Sequence, residues 1–158
     1  MKKVIAMALA AMMMASLLAG CGAKKEKDVD LSAFYAALAE TYDWNENTMV
    51  DIEGELLEGY YPGIGEIATK QFIAKAPSMS AVVNEVVFLQ CETEEAATQA
   101  AELLQTRIDT QAEGGAWYPE SMEAWGRGVV DRQGTYVAMI ASASYQDEIV
   151  ESWQKLFQ

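Results

Sequence analysis

The sequence predicts an α+β domain. It has two layers, an antiparallel sheet of about four strands with helices packed on one face, preceded by an N-terminal signal peptide. Two observations carry the fold class. Apolar patterning marks two pairs of neighbouring strands, 70–75 with 82–91 and 129–132 with 135–141. Each pair is joined by too few residues for a parallel crossover, so each is antiparallel. Helical stripes of apolar residues flank these pairs, and helices grouped against an antiparallel sheet define the class.

Taken in order, Lys2 and Lys3 precede an apolar run from Val4 to Leu18, broken by Ser16, and small residues then lead into Cys21. A charged start, a short apolar middle and a small-residue exit make a secretory signal peptide. The run is shorter than the roughly 20 residues of a membrane span. Leu18-Ala19-Gly20-Cys21 resembles the bacterial lipobox, in which the cysteine thiol is diacylglycerated and becomes the new N-terminus. The expected division is 1–20 signal peptide, removed, 21–29 polar tether and 30–158 a single domain. Two acyl chains suffice for stable anchoring, at about 0.8 kcal/mol per buried methylene. Lys24, Lys25 and Lys27 in the tether are suited to anionic headgroups, although a plain solvated linker fits the same composition.

Asp30 is placed to cap a helix in which Leu31, Phe34, Tyr35, Leu38 and Tyr42 recur at helical spacing, ending before Asp43. A short extended piece is expected over 49–52, a short helix over 53–60 and a turn at Tyr61-Pro62-Gly63. Within 82–91, Val82, Val86 and Phe88 fall on one face and Val83, Val87 and Leu89 on the other, as in a central strand. Thr93 is an N-cap for the longest helix, with Glu94 and Glu95 in its first turn. Ala97, Ala100, Ala101, Leu104, Ile108 and Ala112 form its stripe, and Gly114-Gly115 stops it. The stretch 117–126 reads as irregular, or briefly helical after Pro119. The terminal hairpin turns at Gln133-Gly134. Ser144 and Asp147 have capping-box spacing for a last helix carrying Tyr145, Ile149, Trp153 and Leu156.

Composition excludes several functions. The chain has 24 acidic and 11 basic residues, and removing Lys2 and Lys3 leaves nine basic ones, a mature charge of −15. Nucleic acid is a poor partner for such a surface, since its binding depends on neutralising phosphates. Histidine is absent, which removes His-dependent triads and His-ligated zinc. With Cys21 lipidated, Cys91 is the one remaining thiol, so no internal disulfide forms. Its expected role is that of a small buried hydrophobe. No D-x-[DN]-x-[DN]-G-x5-E calcium loop is present. No cofactor and no metal site are expected, and the domain is expected to be a monomer.

Arg107 and Gln111 on the long helix, Tyr118-Pro119-Glu120 after it, and Gly134 with Tyr136 in the hairpin are similar to marks of the bacterial lipoproteins grouped as domain of unknown function 4358. The resemblance covers roughly 28–157 by element order, with the departures in 43–68. It implies a secreted, lipid-anchored domain and names no activity.

Three sets of residues bear on chemistry. Glu53, Glu55, Glu58, Glu66, Glu85 and Glu120 supply carboxylates for a glycosidase-like hydrolase of the cell envelope, but chance proximity is expected among so many acids. Trp44, Tyr60, Tyr61, Trp117, Tyr118 and Trp125 lie mostly between regular elements, suited either to stacking on a glycan or peptide or to capping the core. Arg107 is expected to pair with an acid such as Glu120 or to serve loop carbonyls. The sequence thus favours a non-enzymatic binding lipoprotein on the outer face of the bacterial cytoplasmic membrane, recognising an envelope protein, peptide or glycan. Its candidate surface is Arg107, Gln111, Trp117 and Tyr118. A concave cleft with two facing carboxylates would favour the hydrolase instead.

Overall fold

The structure, a computed structural model, describes residues 27–158. The signal peptide, the lipobox and Cys21 lie outside them. The described residues form five α-helices and a five-stranded antiparallel sheet, so the α+β class holds. Helix α1 is Leu31–Thr41, β1 Met49–Asp51, α2 Gly54–Tyr60, β2 Thr69–Pro77 and β3 Asn84–Cys91. Then come α3 Glu94–Thr110, α4 Pro119–Gly126, β4 Val129–Gln133, β5 Tyr136–Ser142 and α5 Gln146–Lys155. The sheet order is β1-β2-β3-β5-β4. The 49–52 stretch supplies the fifth strand, pairing Met49–Asp51 with the end of β2.

The layering differs from expectation, because helices cover both faces. On one face, Val83, Val87, Leu89, Val137, Met139 and Ala141 pack with Ala97, Ala100, Leu104 and Ile108 of α3 and with Ala124 and Trp125 of α4. On the other, Val86, Phe88, Tyr136, Ala138 and Ile140 pack with Leu31, Phe34 and Leu38 of α1 and with Ile149 and Trp153 of α5. The cause is the composition of β3 and β5, which are buried along their whole lengths. A strand apolar on alternate residues of both sides must be covered twice. The alanines of α3 present little bulk, so this helix lies close to the sheet.

Asp30 accepts from the Ala33 amide at 2.9 Å, and Thr93 from the Ala96 amide at 3.1 Å, so both expected caps form. The expected capping box at Ser144 and Asp147 does not. Helix α5 starts at Gln146, and its entrance is braced by the Gln146 amide, which accepts from Ser142 N at 2.9 Å and donates to Ile140 O at 3.0 Å. Helix α3 runs into one wide turn, Gln111–Gly115, before the glycines end it, with Gly114 at φ 130°. Val82, expected in β3, precedes it and is exposed.

The domain begins earlier than 30. Val29, expected in the tether, is buried, its N–H donating to the Tyr136 hydroxyl at 3.0 Å and its carbonyl accepting from Gln71 Nε2 at 2.8 Å. Gln71 pairs in register with Gln90, and Gln90 with Tyr136. The chain therefore enters at the end of the sheet where β2 begins and β3 finishes.

Candidate functional site

At the opposite end of the sheet, β3 starts with Asn84 and Glu85. Alternation puts Glu85 on the same face as Val83, Val87 and Leu89, beneath α3. Arg107 sits on α3 beside the buried positions Leu104 and Ile108, so its side chain flanks the stripe that packs on this face. The two meet as a two-point ion pair: Nε to Oε1 at 3.0 Å and Nη2 to Oε2 at 2.9 Å. Their side chains are 14% and 4% exposed, so the pair is close to fully withdrawn from water.

A third group completes the arrangement. Tyr61, fully buried in the turn after α2, donates its hydroxyl proton to Glu85 Oε1 at 2.6 Å. Burial raises the Tyr61 pKa far above the ordinary phenol value, and the Glu85 charge and hydrogen bond raise it further. Burial disfavours the Arg107 charge, but the Glu85 hydrogen bonds and charge outweigh that, and its pKa is raised. The guanidinium also lies over the Tyr60 ring, 4.1 Å from its centre, and 5.2 Å from the Trp125 ring.

Above this floor opens a cleft of about 530 Å³. The β2–β3 connection around Ser80 to Val83 forms one wall, and Gln111, Ala116, Trp117, Tyr118 and Ser121 form the other. Trp117 is 93% exposed and Tyr118 58% exposed. Thus the structure brings all four sequence-expected residues, Arg107, Gln111, Trp117 and Tyr118, to one cleft.

Other expectations are corrected. The partner of Arg107 is Glu85, not Glu120, which lies exposed in the first turn of α4. The six aromatics do not form one cluster. Trp44 is buried on the opposite face with Tyr35 and Tyr42, whereas Tyr60, Tyr61 and Trp125 surround the ion pair. Of the six glutamates available for acid–base work, Glu85 alone lines the cleft, and it is held by a cation and a phenol. Cys91 is buried, and burial pushes its thiol up to about 11, far from the thiolate a nucleophile needs. Among the described residues no group of histidine, cysteine or carboxylate side chains is arranged to hold a metal ion, and no helix is long and apolar enough to cross a membrane.

Sequence reasoning did not single out Tyr61 and Glu85 as partners. The available signal was Glu85 itself, the one charge in a strand whose centre is apolar, which requires a buried counter-charge.

Residues 42–142 match the family described as Domain of unknown function (DUF4358). The chain belongs to this family. The DUF4358 match includes the 43–68 stretch, in which the departures were expected, and it takes in every residue of the cleft. It stops short of α1 and α5, which together cover the second face of the sheet. No curated protein and no solved structure matches the chain.

Proposed function

We propose that this DUF4358 protein is a lipid-anchored, non-enzymatic binding module at the outer face of the cytoplasmic membrane, and that the cleft above Glu85 and Arg107 holds its ligand. The observation that carries the reading is the contrast between floor and rim. The floor is charge-compensated and hydrogen-bonded, with Glu85 bound by Arg107 and Tyr61. The rim carries two large rings, Trp117 and Tyr118, turned to solvent. A fixed polar base beneath exposed aromatics suits recognition. The glycosidase-like alternative uses a second carboxylate facing the first, and Glu85 has an arginine in that place.

The anchor half of the proposal rests on Lys2-Lys3, the apolar run and Leu18-Ala19-Gly20-Cys21. It is tested by feeding cells a labelled fatty acid and fractionating them. The wild type is expected to carry the label and sediment with membranes. Cys21→Ser is expected to lose both, and a labelled or membrane-bound Cys21→Ser protein would refute the anchor.

A further inference from the structure

We propose that the cleft takes a neutral saccharide, stacked on Trp117 and Tyr118 and read by the hydroxyl, carboxamide and guanidinium groups of its lining. This rests on the binding role proposed above and adds the class of ligand. The first support is the charge of the lining itself. Among the residues around the cleft only Glu85 and Arg107 are charged, and they are paired with each other. A charged ligand would give up water there without meeting a free counter-charge. The lining therefore favours an uncharged one.

The second support is the set of polar groups left unspent. Glu85 takes Nε and Nη2 of Arg107, and Nη1 has no partner among the described residues. The Gln111 carboxamide and the hydroxyls of Ser80, Tyr118 and Ser121 also line the cleft without a hydrogen-bond partner among the described residues. Gly115 makes room for Gln111, since a Cβ there would stand 2.6 Å from Nε2. The carboxamide thus lies against the segment that carries Trp117. An apolar ligand would cover these groups and leave them unpaired, which is costly. A hydroxyl both donates and accepts, so it serves a guanidinium, a carboxamide or another hydroxyl alike. A sugar ring carries hydroxyls around its edge and C–H groups on its faces, and the exposed rings suit those faces. Main-chain capture of a peptide runs along a free strand edge. The two walls here, the β2–β3 connection and residues 111–118, are not strands.

The test uses the full-length protein in cells, with the photo-crosslinking amino acid p-benzoylphenylalanine in place of Val82, which is exposed on the wall across from Trp117. The same substitution at Tyr145, on the opposite face, is the control. The expected adduct forms at 82 and not at 145. Periodate, which cleaves vicinal diols, destroys it, and mass spectrometry maps the crosslink to an uncharged sugar. Gln111→Leu keeps the bulk and removes the polar group, and it is expected to lower the adduct yield roughly tenfold. Trp117→Ala is expected to do the same while leaving the melting temperature unchanged, because the ring is almost wholly exposed. A crosslink mapped to a peptide, an acyl chain or a charged sugar would overturn the ligand class and leave the binding role standing. So would a yield kept or raised by Gln111→Leu, which is the mark of an apolar occupant. No adduct at 82 at all would overturn the binding role with it.

Discussion

Tyr61 and Glu85 are joined by a 2.6 Å hydrogen bond onto the same Oε1 atom that accepts from Arg107 Nε. One carboxylate thereby ties three separate elements, the turn after α2, the start of β3 and the end of α3. Removing either charge of the pair leaves the other buried without its counter-charge.

Arg107→Ala is expected to be strongly destabilising, because it strands Glu85 in the interior. Breaking one side of a buried pair costs about 3–5 kcal/mol. Glu85→Gln combined with Arg107→Ala should be less damaging than the sum of the two single changes, since the stranded charge is gone. Urea unfolding of the two singles and the double measures this. Additive losses would show that the pair is not an energetic unit. Tyr118→Ala, by contrast, should leave the unfolding midpoint unchanged, because the Tyr118 ring is largely exposed and makes no ring contact with the pair.

Tyr61 sets a dependence on alkaline pH. Its folded pKa is raised above the unfolded value near 10, so its contribution is fully present below about pH 10. Above that, the unfolded chain ionises while the folded phenol stays protonated, and stability falls by about 1.4 kcal/mol per pH unit. Tyr61→Phe should lose stability at neutral pH, with Glu85 deprived of a donor, and should then decline less steeply than the wild type between pH 10 and 11. Parallel urea titrations across that interval test it, and identical slopes would contradict the assignment.

Trp153 anchors the second face. Its ring stacks on Phe88 at 5.6 Å, meets Phe157 edge-on at 5.0 Å, and donates Nε1–H to Asp131 Oδ2 at 2.8 Å. Trp153→Ala should cost about 3–5 kcal/mol, as large aromatic truncations in cores do. Trp153→Phe should cost less, keeping the stacking and losing the bond to β4. A thermal melt little changed by Trp153→Ala would mean that α5 is dispensable to the fold.

Most of the elements were legible because they rest on local signals. Asp30 and Thr93 cap helices through their own side chains, and the alanine stripe of α3 follows from spacing alone. The second helical layer was also written in the chain, in the opposed faces of Val86 and Phe88 against Val87 and Leu89. Two buried faces demand two covers, and the expectation of one layer did not follow that demand through.

The candidate site was legible in half. Arg107, Gln111, Trp117 and Tyr118 lie on consecutive turns, so their proximity is a matter of one helix and the segment after it. Glu85 and Tyr61 reach the same place through sheet register and a turn of left-handed geometry at Gly63. Pairings across such sequence separations leave no local pattern. Ser144 and Asp147 carried capping-box spacing without forming one because a nearby side chain competes: Gln146 reaches back to the last strand instead.

The docking of Val29 sets a direction. It is held beside Gln71 and Tyr136, and from the neighbouring Gln90 to Glu85 the strand runs about 17 Å, at 3.3–3.4 Å per residue, toward the cleft. Seven residues, Gly22 to Asp28, separate Cys21 from Val29, and fully stretched they reach about 25 Å. With a lipid on Cys21, that short leash ties down the end of the sheet remote from Trp117. If Cys21 carries a lipid as proposed, the cleft lies at the end of the sheet opposite the point where the tether joins it, about the length of β3 away.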